Sequence, residues 1–138
     1  MKEVHARTAR HEALHAVAAI WVGWPLDAVV RLHAGGLHGQ TYLSKTPPPG
    51  DPRDTALKKA VISVIPAVDD PQDDTVSDDL NDADVMVRLG GVPLSEVWAT
   101  AQALLADPEF RRQVRVVESA LYERTLLSGA EVRRLIYE

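Results

Sequence analysis

The sequence predicts a mainly α-helical domain with a small β-hairpin or sheet beside one long helix and a C-terminal helical bundle. Three observations carry this. Apolar residues recur at helical spacing through most of the chain, two short β-prone runs flank a glycine-rich turn, and proline or glycine punctuates the rest. With 138 residues and 46% apolar content the chain can fill one conventional core without staples, so residues 1–138 read as a single domain.

Residues 3 to about 22 form the first helix, with Leu14, Val17, Ala18 and Trp21 on its apolar stripe and "GWP" at 23–25 as its stop. "AVVRLH" and "QTYLS" then read as strands on either side of "AGGLHG". "KTPPPGDPR" at 45–53 is a loop too short to link domains, after which Asp54 caps a helix "TALKKAVISVI" that stops before Pro66. Eight aspartates follow between positions 69 and 84. The first half of this run reads as a solvated loop holding Asp69, Asp70, Asp73 and Asp74. From Ser77 or Asp78 the run opens a helix reaching Leu89, since acidic residues suit a helix N-terminus. Three helices complete the chain, roughly 94–106, 108–126 opened by "DPE", and 129–137, where Ser128 and Glu131 match a capping box. Trp21, Trp24 and Trp98 read as core and turn anchors.

Composition removes several function classes. There is no cysteine, which excludes disulfides, thiolate metal sites and a cysteine nucleophile; any metal must be held by His, Asp, Glu, backbone or water. The net charge of -5 gives no general attraction to phosphate backbones, so nucleic acid is not an expected partner despite the local arginines Arg111, Arg112, Arg115, Arg133 and Arg134. No apolar run approaches the ~20 residues of a membrane span, and "MKEVHARTAR" lacks the apolar segment of a signal peptide. The expectation is a cytoplasmic protein with no direct membrane insertion.

Chemistry concentrates in "ARHEALHAVAAIWVG" at 9–23. Residues four apart share a helix face, so His11 and His15 can aim ring nitrogens at one zinc ion about 2.0–2.1 Å away. Glu12 lies beside that face, placed to reach a water rather than the metal. Zinc would lower the pKa of that water to roughly 7, and Glu12 would act as the general base that delivers it to a peptide carbonyl. Two solvated histidines could produce the same letters by chance. The apolar "AVAAI" that follows argues for burial instead, where histidine nitrogens need a partner and a metal supplies one.

The stretch "TARHEALHAVAAIWVGWPLDAVVRLHAGGLHGQTYLS" resembles the start of the peptidase domain of the FtsH-type, ATP-dependent zinc metalloproteases, in which an "HEAGHA" helix precedes a strand, a glycine-containing turn and a "G-x-T" stretch. Downstream, "VSDDLNDAD" at 76–84 is similar to the family segment that supplies a third zinc ligand, and "VVESALYERTLLSGAEVRRLI" is similar to its closing helix pair. The resemblance implies a His11, His15 and Asp79 zinc site, with Asp78 as the neighbouring alternative, and Glu12 as catalytic base. It also implies that the strand "AVVRLH" offers an edge to an extended substrate. His33 and His38, flanking the turn, are candidates for holding substrate or an oxyanion, or are solvated loop residues.

The chain departs from the family pattern at three points. Leu14 stands where the family has glycine, "IPAVDDPQDD" replaces its "GGRAAEE" segment, and the expectation is a free-standing domain without the AAA+ ATPase and membrane anchor. The leading reading is a zinc metallopeptidase acting on unfolded or flexible polypeptides. The alternatives are an inactive zinc-binding regulatory or interaction module of the same fold, and a metal-free helical interaction protein. Ring assembly in the family makes a homo-oligomer worth testing, and a separate ATPase partner is left open.

Overall fold

The structure is a computed structural model and describes residues 2–30, 39–72 and 77–137. In chain order it contains α1 (Lys2–Val22), β1 (Leu26–Val30), β2 (Gln40–Leu43), α2 (Pro52–Asp69), α3 (Ser77–Gly90), α4 (Leu94–Ala106), α5 (Pro108–Arg124), β3 (Leu126–Ser128) and α6 (Gly129–Tyr137). The fold is mainly helical with one small antiparallel sheet, as the sequence predicts.

Small and branched residues on every side of α1 decide its place. Residues 12–19 are all buried, so α1 is the central helix rather than an amphipathic one on the surface, with α2 and α5 packed along it and β1 and β2 against it. Leu14, Val17 and Ala18 are in the core as expected. Trp21 departs from the expected stripe. It is 37% exposed and closes the seam to α5 from outside, its Nε1 donating to Gln113 Oε1 at 2.6 Å and its ring edge-on to Phe110. Trp24 is buried and pins the loop after β2 through an Nε1 bond to the Ser44 carbonyl, and Trp98 packs half-buried on the core.

The predicted hairpin is present, with Val30 opposite Gln40 and Leu26 opposite Leu43. A third strand was not anticipated. β3 pairs antiparallel with the other side of β1, Val29 opposite Leu127, which makes β1 the central strand. Three residues are too few for a period-2 pattern to show in sequence. What holds β3 is the buried Leu127 and the absence of a side chain at Gly129, where a Cβ would stand 1.8 Å from the Leu26 carbonyl oxygen. Because β1 is paired on both sides over Ala28–Val30, this part of "AVVRLH" offers no edge to a substrate; among the described residues the outer strands are β2 and β3. The remainder, Arg31 to His33, and the turn that follows lie outside the described residues.

α2 differs from the expectation at both ends. Its cap is Asp51, whose side chain accepts from the Asp54 amide, and Pro52 occupies the first turn, where a missing N–H costs nothing. The helix also runs through Pro66 to Asp69. Residues 60–67 are all buried, and that packing outweighs the local penalty of an interior proline. Further on, the sequence and structure agree closely. α3 packs on α2, Asp107 caps α5 through the amides of Glu109 and Phe110, and Ser128 with Glu131 forms a reciprocal capping box on α6.

Candidate metal centre

Three elements bring the candidate ligands together. The four-residue spacing on α1 places His11 and His15 side by side, their rings edge-on with centroids 4.8 Å apart. α3 begins at Ser77, so Asp79 sits in its first turn, and packing of α3 on α2 carries that turn to the histidine face. Oδ2 of Asp79 lies 3.0 Å from Nε2 of His11 and 3.1 Å from Nε2 of His15, and the two nitrogens are 3.2 Å apart. His11, His15 and Asp79 thus form one compact donor group among the described residues. The side chain of Asp78 lies outside the described residues, as do His33 and His38.

The chemistry of the donors fits a cation. Nδ1 of His15 is 2.6 Å from the Ile62 carbonyl oxygen, which can only accept, so this nitrogen carries the proton and donates. Nε2 then turns its lone pair toward the other two atoms. Ligands about 2.0–2.1 Å from a tetrahedral zinc stand about 3.3 Å from one another, close to the edges of this triangle. With the His15 lone pair and the Asp79 oxygen converging, Nε2 of His11 either carries a proton that it donates to them or joins them in holding a metal ion. In the metal-free site, when the imidazole Nε2 atoms carry protons, burial works to raise the Asp79 carboxyl, but hydrogen bonding with His11 and His15 outweighs it and holds the group well below the ordinary carboxylate range. Two histidines and one carboxylate are also a donor set that zinc accepts while keeping a position for water.

Glu12 stands beside the triangle and outside it. Its Oε2 is 3.9 Å from Nε2 of His11, while Oε1 accepts a 2.7 Å hydrogen bond from the Thr41 hydroxyl on β2. Glu12 and His15 are only 6% and 7% exposed, so the motif is packed inside the domain, as the apolar flank predicts. Leu14 is fully buried in the core and also lines a cleft that opens beside His11, together with Arg7, Pro66 and Asp70.

The sequence missed two contributors and misplaced a third. Thr41 lies in the "G-x-T" stretch, which was the only signal for it. The Ile62 carbonyl carries no sequence signal, because backbone acceptors depend on helix packing. Asp69, read as part of a solvated loop, instead ends α2 and takes a two-pronged ion pair from Arg10, with contacts of 3.0 and 2.7 Å. No described helix is long and apolar enough to cross a membrane. No protein-family model matches the chain and no curated protein matches it, so the likeness to FtsH-type peptidases rests on the residues themselves.

Proposed function

We propose that the chain is a zinc-dependent metallopeptidase that hydrolyses peptide bonds of unfolded or flexible polypeptides. The observation that carries this reading is the convergence of His11, His15 and Asp79 with Glu12 alongside but outside the donor group. Zinc, when bound, supplies a Lewis acid toward the peptide carbonyl and toward water. Everything else falls to the chain. His11, His15 and Asp79 hold the ion. Glu12 takes the proton of the attacking water as its oxygen bonds to the carbonyl carbon, and returns that proton to the amine nitrogen as the C–N bond breaks. Thr41 fixes one oxygen of the Glu12 carboxylate, leaving the other turned toward the histidine side. Nothing in these residues unfolds a protein, which is why flexible chains are the proposed substrates.

Leu14 favours a second reading, an inactive zinc-binding module of the same fold, because it fills space beside His11 where the family has glycine. One experiment separates the readings. Purified wild type should contain about one zinc per chain, with little in His15→Ala or Asp79→Ala. Glu12→Gln should keep its zinc and lose casein cleavage by about 10²–10⁴-fold. Zinc without cleavage in wild type selects the inactive module, and no zinc after exposure to micromolar metal overturns both.

A further inference from the structure

In an α-helix each amide donates to the carbonyl four residues earlier. Pro66 has no amide proton, so within α2 the carbonyl it leaves without a helical donor is that of Ile62. In a regular helix the proline ring also crowds this carbonyl. That oxygen is the one that accepts from Nδ1 of His15, at 2.6 Å. α2 continues past the proline to Asp69, so Pro66 does not serve as a stop.

We propose that Pro66 is a positioning residue for the metal centre: it frees the Ile62 carbonyl as the buried acceptor that fixes the His15 ring with Nε2 toward His11 and Asp79. This rests on the zinc reading above. Metal-binding histidines need a partner for the second ring nitrogen, and losing that partner typically costs 10–100-fold in affinity. A helix interior rarely offers one, because its carbonyls are already engaged. Here the sequence supplies the acceptor by deleting a donor. Both His15 and Pro66 are buried, so water is poorly placed to substitute. A carbonyl oxygen has two lone pairs, and a rival amide at position 66 would share it rather than exclude the imidazole. The expected effect therefore lies near the lower end of that range.

The test compares wild type with Pro66→Ala, which restores an amide and favours helix, so that the variant should fold and melt no lower than wild type. Zinc affinity is measured by competition with a chromophoric chelator. The His15 ring is followed in metal-free protein by ¹H–¹⁵N NMR. The expected result is a slowly exchanging Nδ1–H signal in wild type that shifts and exchanges faster in Pro66→Ala, with zinc binding about 10-fold weaker. An unchanged Nδ1–H signal in Pro66→Ala overturns the proposal, whether or not zinc affinity falls, since a fall without it would come from packing. Absence of zinc binding in wild type overturns the metallopeptidase reading instead, and the NMR comparison still decides the role of Pro66.

Discussion

The two walls of the metal centre are built unequally. α1, which carries His11, Glu12 and His15, is buried on all sides from residue 12 to residue 19. α3 contributes Asp79, yet among its described side chains only Ala83 is buried, while Leu80, Val85 and Leu89 face outward, Leu89 with 77% of its surface exposed. Burial of apolar area holds the first wall in place. The second is held by a close, extended seam against α2 that buries few of its side chains, and by the Asp79 contacts themselves. Damage to the first wall should therefore cost the fold and the site together, and damage to the second should cost the site before the fold.

The largest expected effect tests the first wall. Leu14→Ala removes a fully buried side chain from α1 and should lower stability by about 2–5 kcal/mol, read as a fall in the urea midpoint of metal-free protein. A loss well under about 1 kcal/mol would mean that α1 is less firmly packed than its burial indicates.

Gly90→Ala tests the seam of the second wall. A Cβ at Gly90 would stand 2.2 Å from the Cβ of Ala56, so α3 must move off α2 to admit it. The cost should be about 1–3 kcal/mol, and because Asp79 rides on the same helix, zinc binding should weaken in parallel. Weaker melting with undiminished zinc affinity would separate the seam from the placement of Asp79.

The smallest effect is electrostatic. Burial acts to raise the Asp79 carboxyl, but the two imidazoles hold it below its ordinary range, so the group stabilises the fold when ionised. This contribution is complete above the unfolded value of about 3.9 and fades as pH falls toward the lower folded value. In the presence of a chelator, wild type should lose more stability than Asp79→Asn as the pH is taken below about 4. Parallel acid limbs in urea titrations of the two proteins would show that the imidazoles do not stabilise the carboxylate.

How much of this was legible depended on range. The helices after α2 read out to within a few residues because their signals are local: "DPE" opens α5, and Ser128 and Glu131 box the start of α6. The histidine pair read out because i and i+4 share a face whatever the rest of the chain does. β3 did not, since its three residues acquire strand character only by lying against β1. Pro66 was misread for a similar reason. An interior proline argues for a helix end, and only the burial of residues 60–67 shows that the helix continues.

By itself the sequence determined the mainly helical class, the hairpin, the absence of thiol chemistry, and two imidazoles on one helix face with a carboxylate beside it. All of these follow from residue type and short-range spacing. Only the tertiary structure decided that α1 is the centre of the domain, that Asp79 reaches the histidines from 64 residues away, and that Thr41 and the Ile62 carbonyl orient Glu12 and His15. Such contacts depend on how helices and strands stack, and the free energy that sets the stacking is shared across the core rather than written in any one segment.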